Sequence, residues 1–163
     1  MNVHTGIQLR VIKSRGILEV IAAGRQIAAY PCISGSNSGD KQIEGDRKTP
    51  LGTFKVVFRN PGSKFFLSLG LNYPDEAAAR RGLECGLLTQ PQFDRLMADL
   101  ADGDMSDPAT QDRVWKTPLG GEIFIHGGAE GRTSTAGCVA LCNADMARLF
   151  AMCAVGTPVE ILE

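Results

Sequence analysis

Ile123-Phe124-Ile125-His126-Gly127-Gly128-Ala129-Glu130-Gly131-Arg132-Thr133-Ser134-Thr135-Ala136-Gly137-Cys138-Val139-Ala140-Leu141-Cys142-Asn143 is where the chemistry of this chain concentrates. An apolar run ends at His126, one of only two histidines, and two glycines follow it. Twelve residues further on, Cys138 stands behind Ala136-Gly137 at the head of a second apolar run. A loop that leaves one strand at a histidine and enters another at a cysteine can bring the two side chains together. Cysteine acyl chemistry needs that pairing: the thiolate attacks, and a nearby imidazole lowers the thiol pKa and later protonates the leaving group. Gly137 lets the backbone turn tightly, so that N–H groups around Cys138 can face a developing oxyanion.

Three other readings of the same residues stay open at this point. Cys138 can be a buried thiol with no chemistry. His126 can be a strand-end residue bonded only to backbone. His126, Cys138 and Cys142 can hold zinc, although their spacing matches no standard finger or deaminase.

Working outward, the first third has the alternation of β structure. Ile7, Leu9 and Val11 share one face, Ser14-Arg15-Gly16 turns the chain, and Ile17–Ala23 and Gln26–Ile33 continue a meander. Ser34–Asp46 is a polar, Gly-rich loop of a length that often serves function. Thr53–Phe58 and Phe65–Leu69 read as strands separated by Pro61-Gly62. The period then changes: Asp75–Arg81 reads as helix, and Phe93, Leu96, Met97 and Leu100 form a helical stripe behind Pro91. Asp102–Pro108 closes this insertion with helix breakers, and Glu122–His126 is a strand. A last helix starts at an Asn143 N-cap, Gly156-Thr157-Pro158 ends it, and Val159–Leu162 is the final strand. KTPLG occurs at Lys48–Gly52 and again at Lys116–Gly120, which reads as two similar turns. The pattern predicts one α+β domain over residues 1–163, a mainly antiparallel sheet with a helical insertion.

Composition narrows the function. The chain has 163 residues with 17 Lys+Arg against 18 Asp+Glu, so it lacks the basic excess that nucleic acid or an anionic membrane surface demands. GxSxG, GxxxxGK[ST], GxGxxG and HExxH are all absent, which removes the hydrolase elbow, the common nucleotide cradles and the zincin site. Five cysteines without CxxC spacing suit free thiols in a reducing compartment. Met1–Val20, broken by Gln8, Arg10, Lys13, Ser14, Arg15 and Glu19, reads as strand rather than secretory signal, and the expected setting is cytoplasmic, or periplasmic if a leader has been trimmed.

The His126 to Leu141 segment closely resembles the active-site motif of the L,D-transpeptidase (YkuD-domain) family: a His, a variable loop, then S/T-x-G-C and apolar residues. Gly45–Phe54 (GDRKTPLGTF), Phe66–Leu69 with Asn72-Tyr73-Pro74, and Leu119–Gly127 are similar to further stretches of that family, so the likeness spans about residues 7–162. Within that family the segment resembles the form written TxGCIAL-x-N, with Asn143 in place.

The resemblance implies a β-rich fold in which Cys138 attacks the amide between the L-centre of meso-diaminopimelate and D-Ala in a peptidoglycan stem peptide. It implies His126 as base and then acid, Gly127 as the carbonyl that orients the imidazole, and Gly137 and Cys138 N–H groups at the oxyanion. Ala136 stands where many members have His, and Ala140 where they have Arg, which leaves carboxylate recognition to other residues. Arg132, Arg47, Lys48, Ser134 and Thr135 are the substrate-binding candidates. The expected reaction is an L,D-carboxypeptidase step on recycled tetrapeptides. The alternatives are a periplasmic transpeptidase, an exported wall-attacking toxin, or a silent peptidoglycan-binding module. No metal or organic cofactor is expected, because thiol, imidazole and backbone donors suffice.

Overall fold

Alternation in β1 (Ile7–Ile12) buries Ile7, Leu9 and Val11 and leaves Gln8, Arg10 and Ile12 half-buried, the pattern of a strand with one core face. The structure is a computed structural model and describes residues 6–163. The part of the predicted N-terminal strand and domain that falls on residues 1–5 lies outside the described residues.

β1 pairs antiparallel with β2 (Ile17–Ala22), which pairs with β3 (Arg25–Pro31). β4 (Gly52–Ser63) and β5 (Phe66–Leu71) form a long hairpin, followed by β6 (Phe124–His126), β7 (Val139–Ala140) and β8 (Pro158–Leu162). The spatial order is β3-β2-β1-β8-β4-β5-β6-β7. Pairing is antiparallel except at β1–β8 and β6–β7, so the expected sheet is present with two parallel joints. Beyond β3, Ile33 exchanges two 2.9 Å backbone hydrogen bonds with Ala140, so the two ends of the strand order meet.

The helical insertion lies between β5 and β6. α1 (Glu76–Glu84) starts at an Asp75 cap, and α2 (Gln90–Asp102) at a Thr89–Gln92 capping box with Pro91 in its first turn. Asp102–Pro108 does not close the insertion. Pro108 opens a third helix, α3 (Pro108–Trp115), capped by Asp107. The breakers that read as a boundary are a helix–helix connection, since Pro at the first helical position initiates as readily as it terminates. Trp115, at the end of α3, packs edge-on against Phe124 at 5.0 Å and Phe58 at 6.5 Å.

Two other expectations are corrected. Pro61-Gly62 does not separate β4 from β5, because β4 runs through it in a bulged region, with Asn60 opposite Ser68 and Ser63 opposite Phe66. The hairpin therefore turns at Lys64-Phe65. α4 (Asn143–Met152) is preceded by Cys142, not Asn143, at the N-cap, with no side-chain cap bond. Asn143 instead spends its side chain elsewhere, accepting the Gly128 N–H at 2.8 Å.

Candidate active site

Register places the two chemical groups. β6 and β7 run parallel with Ile125 opposite Val139 and His126 opposite Ala140, which sets Cys138 at the level of Phe124. The Phe124 N–H accordingly points at Cys138 Sγ, 3.4 Å away. His126 and Cys138 line one cavity of about 460 Å³, together with Asn60, Ser63, Lys64, Phe65, Ser68, Glu122 and Phe124. That volume is in the range of small-molecule sites.

The imidazole is fixed by local geometry. His126 Nδ1 lies 2.6 Å from the Gly127 carbonyl, the orientation the family resemblance implies, so Nδ1 carries the proton and Nε2 is left as the basic nitrogen. A Cβ on Gly127 would stand 2.6 Å from Asn143 Oδ1 and 2.9 Å from the Phe65 carbonyl, so only glycine fits. Phe65, at the tip of the β4–β5 hairpin, stacks on the imidazole with centroids 4.4 Å apart and planes at 21°. Burial lowers the His126 pKa, the Gly127 bond opposes that, and the Arg132 charge adds to the lowering.

Cys138 is half-buried, and burial pushes its thiol up. Its Sγ–H donates to the Glu122 carbonyl at 3.3 Å. Burial thus works against the charged form of each partner, the Cys138 thiolate and the His126 imidazolium alike.

The turn before the cysteine is built by hydroxyls. Gly137 has φ of 150°, and its N–H goes to Thr135 Oγ1 at 3.0 Å. Thr135 Oγ1 also donates to the Cys138 carbonyl at 2.6 Å. The Gly137 N–H is therefore committed in this state, whereas the Cys138 N–H has no acceptor among the described residues. Thr49, fully buried in the first KTPLG turn, donates to the Gly137 carbonyl at 2.7 Å and accepts the Gly35 N–H at 2.9 Å. The first KTPLG turn is thereby bonded directly to the nucleophile's turn.

The remaining candidates divide. Arg47 donates from Nε to Ser36 Oγ at 2.8 Å and reaches the Thr135 carbonyl at 3.5 Å, so it braces the loops. Thr135 is buried and spends its hydroxyl on backbone. Both are bonded to the loops around the site. Lys48 is half-buried beside the Asn37 bridge, and Ser134 is half-buried in the variable loop. Arg132 is exposed, with its guanidinium 5.8 Å from the Phe65 ring centroid, and Lys64 Nζ stands 5.1 Å from the same centroid. Ala140 is fully buried in β7, a position with no exposed face for a substrate-binding Arg.

Cys142 lines a separate cavity with Ala140 and Glu130, and no three His, Cys, Asp or Glu side chains among the described residues converge to hold a metal. Asp46 organises the polar loop. Although burial works against its charge, bonds from the Gln42, Ile43 and Lys48 N–H groups and the buried Lys41 ammonium hold it at about 2. Phe65, Thr49, Lys64 and Glu122 were not singled out by the sequence, because each acquires its role only through a contact distant along the chain.

Solved structures share this fold. Bd1075 of Bdellovibrio bacteriovorus superposes with a TM-score of 0.63 at 20% identity, covering 99% of this chain and 49% of that one. The helical cell shape determining protein Pgp2 of Campylobacter jejuni gives 0.60 at 24% identity, covering 96% and 47%. L,D-transpeptidase 1 of Mycobacterium tuberculosis gives 0.54 at 12% identity, covering 97% and 62%. The chain thus spans about half the length of the first two. No curated protein matches the sequence. Residues 8–161 match the family described as YkuD, L,D-transpeptidase catalytic domain, and the chain belongs to that family.

Proposed function

We propose that this protein is a cysteine L,D-carboxypeptidase that releases D-Ala from peptidoglycan tetrapeptides by attacking the meso-diaminopimelate–D-Ala amide. The observation that carries the reading is the joint placement of Cys138 and a Gly127-oriented His126 in one cavity. His126 Nε2 takes the thiol proton as Sγ bonds to the amide carbonyl carbon. The carbonyl oxygen becomes an oxyanion facing the Cys138 N–H. The C–N bond breaks as the imidazolium hydrogen passes to the departing D-Ala nitrogen, leaving a thioester. Water then gives a proton to Nε2 and its oxygen attacks the thioester, and Sγ leaves and regains the proton. An amine in place of water makes the same thioester a transpeptidation intermediate.

The test is mass spectrometry of a disaccharide-tetrapeptide incubated with wild type and with Cys138→Ala, with and without excess D-methionine. Loss of one D-Ala, absent in Cys138→Ala and unaccompanied by acceptor incorporation, supports the carboxypeptidase. Incorporation of D-methionine or formation of dimers replaces it with a transpeptidase. No change with wild type overturns the acyl-transfer reading. The proposal includes a cytoplasmic setting suited to recycled peptides; recovery of the native protein in the periplasmic fraction would overturn that part.

A further inference from the structure

The order of the groups along β6 gives the cavity a direction. Cys138 sits at the level of Phe124; Glu122 precedes that level by two residues and His126 follows it by two. The nucleophile is thus flanked by a carboxylate on one side and the general base on the other. At the base's end Lys64 and Arg132 approach the ring of Phe65, which stacks on His126, and the Lys116 ammonium lies within electrostatic reach of Glu122.

Glu122 is exposed, lines the cavity and forms no salt bridge or side-chain hydrogen bond among the described residues. Its backbone is held in the left-handed region at φ 54°, unusual for a residue with a side chain, while its carbonyl receives the Cys138 thiol. The Glu122 backbone is thus constrained beside the reacting sulfur, and its carboxylate is near enough to oppose the thiolate charge.

The base must stand next to the leaving amine, so the leaving group lies toward His126, Lys64 and Arg132. The acyl half of the substrate then lies toward Glu122. We propose that Glu122 is a specificity-determining residue that reads a free ammonium on the side chain of the acyl-donor residue. This inference rests on the peptidase reading above and narrows its substrate class. Diaminopimelate carries such an ammonium only while its side-chain amine is not acylated, so the site selects stems that are not cross-linked through that amine. A cross-linked stem would set a neutral amide against an unpaired carboxylate.

The test uses two tetrapeptides, identical except that the third-residue amine is free or acetylated. Binding is measured by calorimetry in Cys138→Ala and in Cys138→Ala with Glu122→Gln, alongside wild-type turnover of both peptides. The expected result is about fivefold tighter binding of the free-amine peptide, the upper range for a partly exposed charge pair, falling toward unity with Glu122→Gln. Comparing the two ratios removes the effect of acetyl bulk. A ratio near one in Cys138→Ala, or one that Glu122→Gln leaves in place, overturns the inference. Wild-type D-Ala release with either of those ratios leaves the peptidase reading standing while the Glu122 role fails. The expected ratios without turnover support Glu122 as reader and refute the peptidase reaction. Failure to bind either peptide refutes both.

Discussion

Thr49→Val removes one oxygen and keeps the shape of the side chain. That oxygen accepts the Gly35 N–H at 2.9 Å and donates to the Gly137 carbonyl at 2.7 Å, at a residue with 0% exposure. Valine leaves both backbone groups without a partner. A buried polar group stripped of its bond costs about 1–3 kcal/mol. The Gly35 bond is only part-buried and falls at the low end, and the buried Gly137 bond at the high end, so the sum is about 4 kcal/mol. Total stabilities are about 5–15 kcal/mol, so the loss is a large fraction.

The chain's single tryptophan, Trp115, is 4% exposed and reports unfolding by fluorescence. At a urea slope of about 2 kcal/mol per molar, the midpoint falls by about 2 M. Thr49→Ser keeps the hydroxyl and loses a methyl, so its cost is about 1 kcal/mol. A Val variant no less stable than the Ser variant would refute the claim that Thr49 holds the nucleophile's turn through its hydroxyl.

Other outcomes follow from the site. Gly127→Ala forces a Cβ against Asn143 Oδ1 and the Phe65 carbonyl and displaces the imidazole's acceptor, so D-Ala release from the tetrapeptide should fall by on the order of 100-fold in kcat/KM; a loss under threefold refutes the orienting role. Burial lowers the His126 pKa, so activity holds to below the ordinary 6.5 before the base protonates. Phe65→Ala lets water reach the imidazole and should move that acid limb of the kcat/KM profile upward; an unmoved limb refutes the shielding role. The same shift has a sign for stability: as pH falls below 6.5 the unfolded state takes the proton first, so folding weakens from there down to the lowered folded value and is unaffected above it. The His126→Gln variant should lose that acid-side slope in urea titrations at successive pH values. Ile161→Ala empties a fully buried position in β8 and should cost about 2–5 kcal/mol in the Trp115 unfolding assay; under 1 kcal/mol would contradict its place in the core.

Much of this was legible in the sequence because strand alternation and short loops are local signals. β1, β2 and the α2 stripe follow from periodicity, and His126 and Cys138 from the glycines beside them. Conformation-dependent features were not legible. Pro61-Gly62 signals a turn by composition, yet the bulge at that point carries β4 onward and delivers Phe65 to the imidazole. Asn143 has the composition of an N-cap, but the Gly128 N–H lies within its reach and takes its oxygen. Arg47 and Thr135 read as ligand contacts because polar loop residues near a motif invite that reading, whereas the loops need them for their own backbone. The upward shift of the Cys138 thiol depends on burial, which no spacing encodes.

The position of β8 bears on how the chain reaches this state. The last strand of the described chain lies between β1 and β4, parallel to the first and antiparallel to the second. Apart from β8, the β1–β3 meander and the β4–β7 half are joined in the sheet through the Ile33–Ala140 bridge beyond β3. A nascent chain therefore holds two unfinished sheet edges until β8 emerges, and closure joins β1 to a strand about 150 residues on. Such long-range pairing slows folding and leaves exposed edges open to wrong partners in the interval. It also ties the nucleophile's surroundings to synthesis of the last strand, so that an unfinished chain presents Cys138 on a half-sheet that lacks its neighbour.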